Sequence, residues 1–78
     1  MAHKRRPPEG FGERLRDAWY KSGYSLTELE NKTGINHGSI SRYMSEEMAP
    51  TVITLAILCK TLRVSADYLL FGGKICDT

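Results

Sequence analysis

The sequence predicts one small all-α domain built from five short helices. Apolar residues recur at helical spacing in several segments, and helix-capping residues and glycines bracket those segments. No stretch alternates apolar and polar residues over the length of a strand. With 78 residues, 41% of them hydrophobic, the chain has enough apolar side chains for one core and no more.

The first predicted helix covers residues 10–22. Gly23 follows its last turn, where a residue with positive φ commonly ends a helix. One face of the helix is apolar at helical spacing and consists of Phe11, Leu15, Ala18 and Trp19. We therefore expect Trp19 to be a core residue and not a platform on which bases stack.

The second predicted helix, residues 26–33, has a recognisable start and end. Ser25 and Glu28 have the spacing of a capping box, in which the serine hydroxyl accepts from the amide three residues on and the glutamate reaches back to the serine amide. Gly34 ends the helix and permits a sharp turn, because glycine adopts positive φ at little cost.

The third predicted helix, residues 37–45, follows directly after this turn. Asn36 is its N-cap candidate, and its inner face holds Ile40, Tyr43 and Met44. We expect Tyr43, like Trp19, to lie in the core.

The fourth and fifth predicted helices cover residues 51–62 and 66–71. The fourth begins after Pro50, because proline disfavours helix in the residue before it. Its predicted buried stripe is Val52, Leu55, Ala56, Cys59 and Leu62. Ser65 is the N-cap candidate of the fifth helix, and Gly72 and Gly73 close it.

These elements predict a folded domain over residues 10–73, a flexible basic arm over residues 1–9 and a tail over residues 74–78. The arm concentrates positive charge at Lys4, Arg5 and Arg6, within a formal net charge of +2 for the whole chain. The basic residues precede no apolar run, so they do not open a signal peptide. No run approaches the length of a membrane span, and we expect a cytoplasmic protein with no membrane partner.

The sequence gives no indication of a metal site, a cofactor or an enzymatic centre. Cys59 and Cys76 form no CxxC pair, and only His3 and His37 are available as further soft ligands. We expect Cys59 to be a reduced core thiol. No nucleophile, base and orienting group cluster, and neither a phosphate-cradling glycine loop nor a small-molecule pocket is evident.

Two short helices joined by a tight turn form a helix-turn-helix unit, which occurs in DNA-binding proteins. Ile35 and Ile40 are placed to hold the second helix of the pair, so that its N-terminal residues project outward to base edges. Short polar side chains suit that approach, because the major groove admits one helix and little else. The residues in question are Asn36, His37, Gly38, Ser39, Ser41 and Arg42, of which Ser39 and Arg42 lie opposite Ile40.

Over residues 11–72 the chain resembles the lambdoid phage repressor and Cro family, also called the XRE-type helix-turn-helix family. The resemblance covers about four fifths of the chain and rests on an ordered set of motifs. It begins with Phe11-Gly12-Glu13-Arg14-Leu15-Arg16. It continues with Leu29, Gly34, Ile35, Ile40, Ser41, Arg42, Tyr43, Pro50, Leu55 and Leu58, and ends in a Val-Ser-x-Asp-Tyr-Leu-Leu pattern within residues 62–70.

This resemblance implies a lambda-repressor-like fold and a division of contacts on double-stranded DNA. It implies that His37, Gly38 and Arg42 face bases, and that Ser25, Asn36 and Ser45 lie near phosphates. Amides at the helix N-termini would add donors for phosphate oxygens. Since Glu46 and Glu47 follow the third helix, we expect the linker to turn these carboxylates away from DNA.

The chain departs from the family at three places. Leu26 replaces a glutamine at the start of the second helix, which removes a phosphate and base-flanking contact. Glu30 replaces a small alanine in the middle of that helix, so we expect Glu30 to lean outward. Trp19 and Met44 occupy the places of a charged pair and predict an apolar contact instead.

Several residues keep a second interpretation. Arg42 and His37 either contact DNA or are ordinary surface residues, and Lys4, Arg5 and Arg6 either track phosphates or only aid solubility. Ile53 and Ile57 stand one helical turn apart, opposite the predicted stripe, and are either scattered surface residues or part of a protein interface. The family commonly dimerises through this region, which here includes Arg63, Ala66 and Tyr68.

The leading hypothesis is a sequence-specific DNA-binding regulator, a repressor that acts as a homodimer on a two-fold related operator. Its alternative is a protein-interaction or antitoxin-like module in which DNA binding is secondary. Leu26, Glu30 and the pair Ile53 and Ile57 motivate the alternative. The two are told apart by whether the protein binds a duplex or a stoichiometric protein partner.

Overall fold

The computed structural model describes residues 7–72, which form five α-helices and no strand. The predicted all-α fold of five helices is confirmed. Two helices have the predicted bounds, and the other three differ by one residue at one end. In chain order the helices are α1 (Phe11–Ser22), α2 (Leu26–Thr33), α3 (His37–Met44), α4 (Val52–Leu62) and α5 (Ala66–Phe71).

Every helix contributes at least one fully buried side chain to a common core. α1 packs against α3, α4 and α5, and α2 packs against α3 and α4. Burying large aliphatic and aromatic side chains from all five helices makes each helix depend on the others for its stability. The fully buried side chains are Phe11, Leu15, Leu29, Ile40, Leu58 and Leu69.

The predicted buried stripe of α4 is wrong at two positions. Val52 is 83% exposed, and Ala56 is also exposed. The inner face is instead formed by Leu58 and Leu62, which are buried, with half-buried Leu55 and Cys59 beside them. Apolar residues surround most of α4, so periodicity alone does not select the face that packs, and the neighbouring helices decide it.

A charged side chain of α1 closes the C-terminal end of α5. The Arg14 guanidinium donates from Nε to the carbonyl oxygen of Leu69 and from a terminal nitrogen to that of Leu70, both at 3.0 Å. These are carbonyls of the last helical turn, which lack intrahelical partners. Arg14 therefore joins the first helix to the last through backbone hydrogen bonds.

The linker after α3 is joined to the start of α1. Glu46 Oε2 accepts hydrogen bonds from the backbone N–H of Gly10 at 3.1 Å and of Gly12 at 2.9 Å. A carboxylate here satisfies orphan amides and lies at the positive end of the helix dipole. A Cβ atom on Gly12 would fall on the carbonyl oxygen of Met44, so the close approach of α1 to α3 requires glycine.

The described part of the chain extends into the segment assigned to the arm. Pro7 is buried, and the carbonyl oxygen of Pro8 accepts a hydrogen bond from the Phe11 amide at 3.0 Å. Pro7 is therefore packed with the domain, and the exposed Pro8 is joined to α1 by a backbone hydrogen bond. Lys4, Arg5 and Arg6 lie outside the described residues.

Candidate nucleic-acid interface

α2 and the turn after it have the geometry that the sequence predicts. The capping box is present: Ser25 Oγ accepts from the Glu28 amide at 3.0 Å, and Glu28 Oε1 accepts from the Ser25 amide at 2.8 Å. Gly34 has φ 76° and donates its amide to the carbonyl oxygen of Glu30 at 2.7 Å. This left-handed residue ends α2 and turns the chain sharply, so that α3 begins only three residues later.

α3 is held by one face and presents the other to solvent. Ile40, Tyr43 and Met44 are buried, which confirms the predicted inner face, and Trp19 and Ile35 pack against the same core. His37, Ser41 and Arg42 are exposed, and we call these three residues the outward face of α3. Gly38 and Ser39 are half-buried, so Ser39 is less accessible than its predicted place beside Arg42 requires.

The N-terminus of α3 is capped and still offers donors. Asn36 Oδ1 accepts from the Gly38 amide at 2.7 Å, as expected of an N-cap. Within residues 7–72 the Asn36 side-chain NH₂ has no partner, and the Ser25 hydroxyl hydrogen is likewise uncommitted. Both groups donate hydrogen bonds, which is what phosphate oxygens require.

The side chains of Ser45 and Arg42 differ in whether they already make hydrogen bonds within the protein. Ser45 is the C-cap residue of α3, and its hydroxyl donates to the carbonyl oxygen of Arg42 at 3.1 Å. Contact with a phosphate would therefore require the hydroxyl to leave that carbonyl. The Arg42 guanidinium is exposed and has no partner in the described part of the chain, so all its donors are available.

A contact that sequence reasoning missed links α2 to α3. Glu30 Oε1 lies 2.8 Å from Nδ1 of His37, and both side chains are partly accessible to solvent. The Glu30 side chain thus points away from the packed interface of α2, as expected. It is directed to His37 on the outward face of α3. The unusual acidic residue was visible in the sequence, whereas its partner depends on the turn geometry that brings residues 30 and 37 together.

The two carboxylates after α3 have different surroundings. Glu46 is half-buried and has φ 62°, and its side chain is committed to the start of α1. Glu47 is exposed, and its amide donates to the carbonyl oxygen of Arg42 at 2.9 Å. The carboxylate of Glu46 is therefore held by the amides of the α1 N-cap and first turn.

The predicted partner surface divides between two regions. Ala66 lines an apolar groove between α4 and α5, which also includes Val52, Leu55, Ala56, Cys59, Lys60, Val64 and Ser65; we call it the α4–α5 groove. Burial raises the pKa of the Cys59 thiol in this groove. Ile53 is 73% exposed, whereas Ile57 is half-buried.

Arg63 and Tyr68 line a separate cavity between α1, α4 and α5. The Tyr68 hydroxyl lies 3.5 Å from Asp17 Oδ2, across that cavity. Residues 7–72 contain no group of three or more His, Cys, Asp or Glu side chains placed to hold a metal ion. No helix among them has the length and apolarity that a membrane crossing requires.

Comparison with known proteins gives a consistent result. Residues 13–69 match the family model described as Helix-turn-helix. The chain is 37% identical over 65 residues to the HTH-type transcriptional regulator ImmR of Bacillus subtilis (strain 168). The match covers 83% of this chain and 51% of ImmR, so the chain spans about half the length of that relative.

Two solved structures have the same fold over most of this chain. The P22 c2 repressor in complex with synthetic operator 9T is 33% identical with a TM-score of 0.76, covering 81% of this chain and 96% of that chain. The N-terminal DNA-binding domain of SinR from Bacillus subtilis is 29% identical with a TM-score of 0.71, covering 78% of this chain and 90% of that chain. In both, the matched region is nearly the whole of the solved chain.

Proposed function

The chain belongs to the helix-turn-helix family, and on that premise we propose that it is a sequence-specific DNA-binding transcriptional repressor whose α3 enters the major groove. The solved structures that it resembles include a repressor bound to a synthetic operator and a DNA-binding domain. Under this proposal the protein acts in the cytoplasm, on double-stranded DNA and without enzymatic chemistry.

The observation that carries the proposal is the two-sided construction of α3. Its inner face is buried, with Ile40 completely so, and this packing holds the helix against the core. Its outward face presents Arg42 with every guanidinium donor uncommitted within residues 7–72. Arginine on a groove-facing helix pairs with the O6 and N7 acceptors of guanine, which is the commonest specific contact to a base.

The phosphate contacts proposed for this domain use donors beside the helix N-termini. The Ser25 hydroxyl and the Asn36 amide are exposed and keep hydrogens for phosphate oxygens. Ser45 and Ser41 are further polar groups, on the C-terminal half of α3 and beyond. Lys4, Arg5 and Arg6 would add sequence-independent affinity if the arm follows the backbone or the minor groove.

The partner proposed for the α4–α5 groove is a second copy of this chain. The groove is lined largely by apolar side chains, and Val52 within it is 83% exposed, while the next residue of α4, Ile53, is 73% exposed. A two-fold contact here would cover exposed apolar side chains. Binding to successive major grooves would require the two α3 helices of the dimer to lie about 34 Å apart, one turn of B-DNA. Of the other predicted interface residues, Ile57 is half-buried, and Arg63 and Tyr68 line the separate cavity, so the groove contact does not require them.

Selection of duplexes from a random pool tests the proposal. Binding by a homodimer predicts enrichment of a two-fold related sequence whose half-sites are about 10 base pairs apart, centre to centre. The protein-interaction alternative predicts no enrichment at low salt and a stoichiometric protein partner instead. A single enriched half-site would support DNA reading but contradict the homodimer.

A further inference from the structure

We infer that Glu30 is a positioning residue for DNA recognition: its carboxylate fixes the imidazole of His37 so that Nε2 is the ring atom presented to the duplex. The inference rests on the proposed function and adds a residue that does not itself have to touch DNA. It concerns which hydrogen-bonding group His37 offers at the first position of α3.

Glu30 is engaged on both sides of the turn between α2 and α3. Its carbonyl oxygen accepts from the Gly34 amide at 2.7 Å, which closes α2. Its carboxylate lies 2.8 Å from His37 Nδ1, at the start of α3. The residue therefore reaches from the helix that supports α3 to the outward face of α3.

The chemistry of the pair selects one imidazole nitrogen. An ionised carboxylate only accepts hydrogen bonds, so the hydrogen of the pair belongs to His37 Nδ1. In the neutral ring Nε2 is then an acceptor, whereas without Glu30 either nitrogen can carry the hydrogen. An acceptor in the major groove matches the amino groups of cytosine and adenine, and a donor matches guanine, so the choice of nitrogen changes the base preferred.

Two alternative roles for Glu30 predict different behaviour. The side chains of His37 and Glu30 are 63% and 36% exposed, so the pair contributes little to stability. A carboxylate that only carried charge near DNA would weaken binding, and its removal would strengthen binding to every duplex. A positioning role instead predicts that its removal reduces discrimination between bases at one site.

The first test needs no DNA. Long-range ¹H–¹⁵N spectra of the imidazole, recorded where the ring is neutral, report which nitrogen carries the hydrogen. We expect the Nδ1–H form to predominate for His37 in the unchanged protein and to be lost in Glu30→Ala. A predominant Nε2–H form in the unchanged protein would overturn the inference whatever the protein binds.

The second test is a double-mutant cycle on the duplex enriched by selection. Glu30→Ala is expected to lower the affinity ratio between that duplex and its single-base variants by about tenfold at one base pair. In the His37→Ala background the same change is expected to have no further effect, because the ring that it orients is gone. Equal effects in both backgrounds would contradict the inference.

Two controls complete the cycle. Glu47→Ala removes an exposed carboxylate near the end of α3 and is expected to leave base preference unchanged. Glu30→Gln keeps the length of the side chain but offers an NH₂ donor beside the carbonyl acceptor, so it no longer selects the Nδ1–H form and is expected to lose discrimination as Glu30→Ala does. A failure of the proposed function would look different, since the unchanged protein would then enrich no duplex while the imidazole spectrum would still report on Glu30.

Discussion

Glu46 Oε2 accepts a hydrogen bond from the backbone amide of Gly12 at 2.9 Å, which fixes the linker after α3 to the first turn of α1. α1 in turn packs against α3, α4 and α5. The position of α3, and with it the outward face, therefore depends on a carboxylate outside the helix-turn-helix unit.

Replacing Glu46 by alanine is expected to lower the free energy of unfolding by about 1–2 kcal/mol, because two amides at the start of α1 lose a charged acceptor. Urea denaturation followed by circular dichroism measures the change. Glu47→Ala is the matched control and should alter stability by less than about 0.5 kcal/mol, since that side chain is exposed. Equal losses in the two variants would show that the Glu46 cap is unimportant.

A methyl group at Gly12 has no room between α1 and α3. Gly12→Ala is expected to destabilise the domain by about 1–3 kcal/mol or more, because the added Cβ meets the Met44 backbone, which cannot move as a flexible side chain would. Thermal unfolding monitors this loss. Gly23→Ala meets no atom nearby and differs only in its positive φ of 81°, so it separates steric from conformational cost. A smaller loss at residue 12 than at residue 23 would contradict the close approach.

The local signals in this sequence predicted the helices well. Ser25 with Glu28, Asn36, Ser65 and Gly34 act within a few residues along the chain, so their hydrogen bonds follow from spacing alone. The hydrogen bonds of Glu46 and Arg14 join residues that are 34 to 56 positions apart in the sequence, and no local pattern predicts them. The face of α4 was misassigned for a related reason, since its partners are distant helices.

For the candidate site, too, local features were predictable from the sequence and contacts between helices were not. The position of α3, its buried Ile40 and its exposed Arg42 follow from the capping and periodicity of the segment. The pairing of Glu30 with His37 required the three-dimensional turn, because the two residues lie on different helices. The sequence therefore located the helix proposed to read DNA but not the contact of Glu30 with its first residue, His37.

The basic arm predicts a salt effect that is independent of sequence. Deleting residues 1–6 leaves the packed Pro7 and removes Lys4, Arg5 and Arg6. If the arm binds phosphates, the deletion should make the slope of log affinity against log salt less steep by about 0.9 for each phosphate that the arm neutralises. Titrations of one duplex at several salt concentrations measure the slope. An unchanged slope would mean that the arm only aids solubility.

A charge placed in the α4–α5 groove tests the proposed homodimer. Ala56 is exposed and lines that groove, so Ala56→Glu should leave the fold intact while desolvation of the new carboxylate opposes association. We expect sedimentation equilibrium to shift toward monomer and affinity for a two-fold related duplex to fall at least tenfold. Tyr20→Glu, at an exposed apolar residue of α1 outside the groove, is the control. Dissociation by the control alone would place the interface elsewhere.

The most direct measurement compares Arg42→Ala with the unchanged protein on the selected duplex and its single-base variants, by fluorescence anisotropy at fixed salt. Arg16→Ala, which removes an exposed arginine from α1, is the charge-matched control. Reading of a base by the outward face predicts that Arg42→Ala weakens binding to the selected duplex by about 1–3 kcal/mol and abolishes preference at one base pair, while the control retains it. Unchanged affinity and unchanged base preference in Arg42→Ala would contradict the assignment of α3 as the reading helix.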